Sequence, residues 1–260
     1  MATDVLPLNR IALAVEPPVA RITLHNPPLN VIDIPMMEEL ASVLAQIEGD
    51  QTISTVVFRG EEKGFSAGVD IAAHTRDKVS SMLERFHGVI RAVVASKKVT
   101  IAAVHGNSLG GGAELAMMCD IVITTDDATW GFPEINLGGF PPVAATALGA
   151  LIGHKRAADL ILTGTTVLGT EAAEIGLATR AVTADNMDAA IKEALEHLQK
   201  QSPVALAIAK KAIYSWDSIH FDKGLARAEK IYLDELMKTE DAREGVRAFL
   251  EKRNPMWKGR

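Results

Sequence analysis

One pattern constrains this chain more than any other: short β-branched apolar runs that alternate with helical stretches, with glycine-bearing loops between them. Ser54–Phe58 (STVVF), Thr100–Val104 (TIAAV) and Ile121–Thr124 (IVIT) are the runs. Each is too short for a helix and is bounded by turn-forming or charged residues, the signature of a buried strand. Ile34–Ile47 carries helical periodicity, with Met37, Leu40, Val43, Leu44 and Ile47 on one side, and Val79–Val94 is helical too. Such β-α-β alternation predicts an α/β protein with a largely parallel sheet. Ile11–Val15 and Val19–Leu24, set around Pro17-Pro18, predict a hairpin or two short strands, a unit that Pro27-Pro28 closes. A short helix through Met118 is expected after the glycine loop.

From about Val143 the pattern turns mostly helical. Ser202-Pro203 pairs an N-cap serine with a first-turn proline, and three helices are expected at about 203–216, 221–238 and 240–252. The chain therefore divides into a core, 1–200, and a helical C-terminal region, 201–260, that packs on the core or on a neighbouring subunit.

Composition narrows the partners. A net charge of -6 argues against nucleic acid or an anionic membrane, while leaving room for a local basic pocket. Cys119, the only cysteine, excludes an intrachain disulfide and fits a cytoplasmic setting, and within Ala116-Met117-Met118-Cys119 it reads as core. The N-terminal MATDVLPLNR has neither a secretory apolar run nor a transit-peptide look, and no apolar segment is long enough to span a bilayer. No Cys/His cluster has metal-ligand spacing, so no metal is expected.

The stretch TIAAVHGNSLGGGAELAMMCD, residues 100–120, supports two incompatible chemistries. Gly106-Asn107-Ser108-Leu109-Gly110 matches the G-x-S-x-G elbow of serine hydrolases, in the strand–turn–helix context that motif needs. A triad would then need a downstream histidine: His197 sits inside helical EALEHLQK, leaving His154 and His220. The other reading starts from the glycine triplet and Glu114, a carboxylate in a helix that is apolar on nearly every side. A second isolated carboxylate, Glu134, lies in the apolar, Gly/Pro-punctuated TWGFPEINLGG. Two such groups make an acid/base pair if the fold brings them together.

The ordered blocks GFSAGVDI (64–71), AAVHGNSLGGGAELAMMCDI (102–121) and WGFPEINLG (130–138) resemble the crotonase, or enoyl-CoA hydratase/isomerase, superfamily. Weaker blocks at 162–177 (LTGTTVLGTEAAEIGL) and 249–257 (FLEKRNPMW) extend the resemblance over nearly the whole chain. It implies a spiral of β-β-α units with a helical C-terminal region, an acyl-CoA thioester as substrate, and no cofactor beyond the coenzyme A that the substrate carries. It makes Ser108 a loop residue. It implies that backbone N–H groups of Val69 and Gly111 bind the thioester oxygen, which explains glycines where a Cβ would obstruct close approach. It assigns Glu114 to orienting and deprotonating water and Glu134 to supplying the Cα proton. Asn30, Ser66, Ala67, Gly68, Asp70, Ile71 and Gly110 fall in segments expected to border the ligand. Trp130, Phe132, Phe140 and Pro141 are expected near the acyl group, with Trp130 and Phe132 equally readable as core, and Phe249 and Lys252 near CoA; Asp70 reads more readily as a turn residue, and Lys252 equally as a solvated charge. Assembly as a homotrimer or homohexamer is the family's habit.

Isomerase relatives commonly keep only one of the two glutamates, so retention of both favours hydration over isomerisation. It also counts against a non-catalytic CoA- or RNA-binding relative. One departure bears on substrate. Where short-chain hydratases carry a glycine-rich run, this chain has Phe140-Pro141-Pro142-Val143-Ala144-Ala145-Thr146, stiffer and bulkier. LGGFPPVA is similar to the segment in cyclic dienoyl-CoA hydratases of anaerobic aromatic degradation, such as those acting on cyclohexa-1,5-dienecarbonyl-CoA. Asn30–Asp33 (NVID) also departs from the commoner run and bears on the pocket mouth.

Overall fold

A computed structural model describes residues 8–260, apart from the side chains of 215–220. The expectations placed on the first seven residues and on the His220 side chain lie outside that range.

Strands β1 (Ile11–Glu16) and β2 (Val19–Leu24) form an antiparallel hairpin, followed by helix α1 (Ile34–Gly49). β3 (Thr55–Gly60) and β4 (Gly64–Ser66) then lead into α2 (Val79–Ala95). β5 (Val99–Val104) and β6 (Asn107–Leu109) lead into the short α3 (Gly111–Met117). β7 (Ile121–Thr125) and β8 (Thr129–Gly131) lead, through a 3-10 turn at Pro133–Leu137, into α4 (Pro142–Ile152) and α5 (His154–Thr163). β9 (Thr166–Leu168), α6 (Gly169–Glu174), β10 (Arg180–Val182) and α7 (Met187–Gln199) complete the core. Two helices end the chain, α8 (Pro203–Asp234) and α9 (Glu240–Leu250).

The strands form two sheets, ordered β1-β2-β3-β5-β7-β10 and β4-β6-β8-β9. β3, β5 and β7 lie parallel in the first, and β4, β6 and β8 lie parallel in the second. Each successive β-β unit therefore lays one strand on each sheet, which is the spiral of an α/β crotonase fold. The bend between paired strands needs backbone in contact with backbone. At Gly106 (φ 54°) a Cβ would stand 2.1 Å from the Lys63 carbonyl oxygen.

Period-2 alternation explains why the central strands read as continuous apolar runs. Val56, Phe58, Ala102 and Val104 face the cluster built with α1 and α2. Val57, Ile101, Ala103 and Ile123 face Ala190, Ile191, Ala194 and Leu195 of α7. Cys119 is buried in the first cluster, and burial pushes its thiol up to about 12, leaving it inert as a nucleophile at neutral pH.

The C-terminal region corrects one expectation. The two helices read at 203–216 and 221–238 are one continuous helix, α8, which stops at Asp234 before a 3-10 turn at Leu236–Lys238. No glycine or proline falls between residues 204 and 223 to interrupt it. α8 is fastened to the core by a buried ion pair. Lys210 Nζ lies 2.8 Å from Asp120 Oδ2, the side chains being 6% and 13% exposed, and also donates to the carbonyls of Val93 and Lys98. Asp120 in turn accepts from the Thr100 N–H and hydroxyl. α8 also carries Tyr232, which borders the site described below.

Lys210→Met leaves Asp120 buried and unpaired, and is expected to lower unfolding free energy by about 3–5 kcal/mol. Urea denaturation checks this, and adding Asp120→Asn should recover part of the loss.

Candidate functional site

The site starts at the turn after β4. Ser66 Oγ donates to the Asn30 carbonyl at 2.7 Å and accepts from the Gly68 N–H at 3.1 Å. Asn30, itself at φ 50°, spends its amide on the Glu61 and Gly64 carbonyls and on the Asn26 N–H. Both side chains are buried buckles for the loop rather than groups free to meet a ligand. The Ala67 N–H bonds to the Leu29 carbonyl, and a single β-bridge pairs Ile32 with Val69. Ile32 N–H bonds to Gly68 O, and Asp70 N–H to Ile32 O. The Val69 N–H, between those two bonds, points away from Ile32 and donates to no protein acceptor among the described residues. Asp70 caps the 3-10 turn that begins at Ile71, accepting from the Ala72 N–H, so it serves local turn structure.

The second loop comes from the next β-β unit. Gly111 is the first residue of α3, so its N–H is unspent by the helix. A Cβ on Gly111 would lie 2.6 Å from Val69 Cγ2 and 3.4 Å from Val69 N, and a Cβ on Gly68 would lie 3.4 Å from Gly111 N. The two N–H groups are neighbours because no side chain stands between them. Gly110, at φ 50° and ψ −127°, lets the chain turn into α3. A Cβ there would meet Glu134 Oε1 at 2.5 Å.

Glu114 lies one turn into α3, only 2% exposed. Its Oε1 accepts the Ala144 N–H at 2.9 Å. That donor is an orphan N–H at the N-terminus of α4, where a carboxylate is favoured. The proline-rich segment singled out in the sequence thus also positions a carboxylate. Glu134 sits in the Pro133–Leu137 turn, whose C-cap Gly138 is left-handed, and its buried Oε2 has no hydrogen-bond partner among the described residues. Burial raises the pKa of both Glu114 and Glu134, and the charge of Glu114 raises that of Glu134 further. Two carboxyls so close titrate as a pair, and near neutrality they share protons that isolated glutamates would have lost.

Both glutamates, Val69 and Gly111 border one small cavity of about 90 Å³, walled by Phe140 and Tyr232. Ala67, Gly68, Ile71 and Gly110 border it as well. Sequence reasoning missed Tyr232, which reaches in from α8 and packs edge-on against Phe140, ring centroids 5.2 Å apart. Burial, then the charges of Glu134 and Glu114, hold its hydroxyl above the ordinary tyrosine range. It also missed His74 and His87, which border the same cavity. No local motif marks these three; only their place in the fold does.

Other expected contacts fall elsewhere. Trp130 is fully buried in the core, its indole N–H spent on Thr124 Oγ1, and Phe132 is core as well. Pro141 is buried behind the wall, and its neighbour Pro142 faces the cavity. Phe249 is 51% exposed and Lys252, at φ 53°, is exposed past the end of α9; neither borders the cavity. Ser108 lies in strand β6 rather than in a loop, buried, with no partner for its Oγ among the described residues, and His154 is exposed at the start of α5, so no triad hydrogen bond forms among the described residues. Among the described residues no cluster of three or more His, Cys, Asp or Glu side chains is placed to hold a metal ion. Among the described residues no helix is long and apolar enough to cross a membrane.

A family model described as enoyl-CoA hydratase/isomerase matches residues 15–260. The chain belongs to that family. It is 38% identical to a probable enoyl-CoA hydratase of Bacillus subtilis (strain 168) over 259 residues, covering 97% of this chain and 100% of the relative. It is 32% identical to the cyclohexa-1,5-dienecarbonyl-CoA hydratase of Thauera aromatica, covering 92% and 93%. The crystal structure of an enoyl-CoA hydratase from Mycobacterium avium subsp. paratuberculosis K-10 superposes with a TM-score of 0.87 at 26% identity, covering 97% of this chain and 100% of that one.

The raised carboxyl pKa values carry a stability consequence. Unfolded, both glutamates lose protons around their ordinary 4.5; folded, they hold them to higher pH. Across that interval the native state binds more protons than the unfolded state, so stability falls as pH rises. Glu134→Gln is expected to be more stable than the parent at about pH 8, on the order of a few kcal/mol, with the gap closing towards about pH 5. Denaturant titrations at both pH values check this.

Proposed function

We propose that this protein is an acyl-CoA hydratase that adds water reversibly across the α,β-double bond of an enoyl-CoA thioester. The observation that carries this reading is the convergence of two buried carboxyls and two unspent N–H groups on one cavity. Val69 and Gly111 N–H donate to the thioester oxygen. Such a donor is typically worth about 3 to 4 kcal/mol when charge develops on the oxygen, and α3 adds its N-terminal dipole.

Glu114, held by the Ala144 N–H, takes a proton from water as the water oxygen bonds to Cβ. The π electrons pass to the thioester oxygen as an enolate, which collapses as Glu134 gives its proton to Cα. The raised pKa of Glu134 suits this role, since it keeps a proton available near neutrality. The pair ends with its proton exchanged from one carboxyl to the other, and exchange with solvent resets it.

The finer substrate reading is a cyclic dienoyl-CoA. It is supported by the stiff Phe140-Pro141-Pro142 wall, by the cavity's small size and by the 32% identity to the Thauera aromatica enzyme. Assembly as a homotrimer or homohexamer in the cytoplasm completes the proposal. The exposed apolar side chains Phe249, Leu250, Met256 and Trp257 support assembly, a C-terminal segment from which a neighbouring subunit can meet CoA. Light scattering on the purified protein should give the mass of three or six chains; a monomer would overturn this part.

Glu114→Gln and Glu134→Gln are each expected to cut hydration by about 10²–10⁴-fold. A Glu114→Gln enzyme that still isomerises enoyl-CoAs would overturn the hydratase assignment in favour of an isomerase. Tight CoA binding without turnover of any enoyl-CoA would favour a non-catalytic relative. The same assay, run with crotonyl-CoA, longer 2-enoyl-CoAs and cyclohexa-1,5-dienecarbonyl-CoA, decides the acyl group. Crotonyl-CoA favoured by orders of magnitude would end the cyclic reading.

A further inference from the structure

The site holds a hydroxyl that the mechanism above does not use. Tyr232 is 4% exposed and borders both the reaction cavity and a smaller adjoining one of about 20 Å³, as Glu134 and His74 also do. Its Oη makes no hydrogen bond among the described residues. Unlike Glu134 Oε2 it is not sealed in; it keeps accessible surface, and on so buried a residue that surface faces the cavities. The ring is fixed edge-on against Phe140. Gly139 leaves the space beside the hydroxyl open, since a Cβ there would stand 3.5 Å from Tyr232 Oη, 3.3 Å from the Glu134 carbonyl oxygen and 3.8 Å from Glu134 Cβ. The hydroxyl thus lies alongside Glu134 without bonding to either carboxyl. Burial, then the charges of Glu134 and Glu114, raise the phenol's hold on its proton, so Tyr232 is a donor that stays protonated.

A buried donor calls for an acceptor, and the reaction brings two oxygens into the cavity. The thioester oxygen takes the Val69 and Gly111 N–H groups. The other is the oxygen that joins Cβ. As water it gives one proton to Glu114 and one lone pair to Cβ, which leaves its second lone pair to accept a hydrogen bond. Resting on the hydratase reading of this site, we propose that Tyr232 is a third catalytic residue, whose hydroxyl donates a hydrogen bond to the oxygen being added at Cβ. The phenol O–H bond does not break. Water loses one proton to Glu114, its oxygen bonds to Cβ, Glu134 protonates Cα, and the β-hydroxyl of the product keeps the bond to Tyr232. In the reverse direction the same bond supports the departing oxygen. Linear and cyclic acyl groups are served alike, because every substrate of the reaction gains this oxygen.

The test compares two reactions in the native enzyme and in Tyr232→Phe, which keeps the ring against Phe140. One is hydration of crotonyl-CoA and of cyclohexa-1,5-dienecarbonyl-CoA. The other is exchange of the Cα proton for deuterium in heavy water, with the saturated butanoyl-CoA and cyclohexanecarbonyl-CoA. Exchange uses the N–H pair and Glu134 but adds no oxygen to Cβ. Tyr232→Phe should cut kcat for hydration about tenfold to a hundredfold, while exchange holds its native rate. A structural role, or one exercised through Glu134, would lower both reactions alike, which overturns the proposal, as does an unchanged hydration rate. Should Tyr232→Phe fail to fold, 3-fluorotyrosine at position 232 supplies a more acidic donor of nearly the same shape. It should shift the ratio of hydration to exchange, and an unmoved ratio defeats the proposal. In each of these defeats the native enzyme still hydrates its substrate, so the hydratase reading survives. Turnover of no enoyl-CoA by the native enzyme would overturn both.

Discussion

Everything at this site depends on taking two carboxyls out of water in one small space. Each ion costs several kcal/mol to bury, and their mutual repulsion adds to the cost. The fold meets that cost unevenly. Glu114 has a helix N-terminus aimed at it through the Ala144 N–H, whereas Glu134 Oε2 has no partner. That asymmetry separates their proton affinities in the direction the proposed acid and base roles need. The remainder of the structure has to supply the stability this arrangement removes.

It does so through the spiral. Successive β-β units place their loops against one another, so Val69 from one and Gly110-Gly111 from the next meet backbone to backbone. Core strands buried on both faces fix those loops from below. The Asn30 and Ser66 side chains, committed inside the loop, hold it from beside. The N–H groups that remain unspent are unspent because every neighbouring backbone bond is already made, which is what preorganisation requires.

The long helix α8 walls part of the cavity. Lys210 and Asp120 fasten the early part of α8 to the core, and further along Tyr232 borders the cavity while Glu229 holds His87. One long helix thus carries both an anchor and working side chains, which two shorter helices with a joint between them would not hold in the same register.

Strand and helix periodicity, the glycines and the lone carboxylates in apolar surroundings were legible in the residues themselves, because burial leaves its mark locally. The ordered blocks then named the family and pointed to Val69, Gly111, Glu114 and Glu134, which the fold does gather at one cavity. Residues whose part depends on long-range packing were not legible. Trp130 sits next to the Phe132-Pro133-Glu134 loop in sequence, yet strand alternation turns it into the core. His87 and Tyr232 look ordinary on their helices and come to border the cavity only when α2 and α8 pack beside it. A sequence determines which groups can be buried and which bends are possible. Which buried groups face each other is decided by the tertiary structure, since a proton's affinity and an N–H group's freedom depend on neighbours that are distant along the chain.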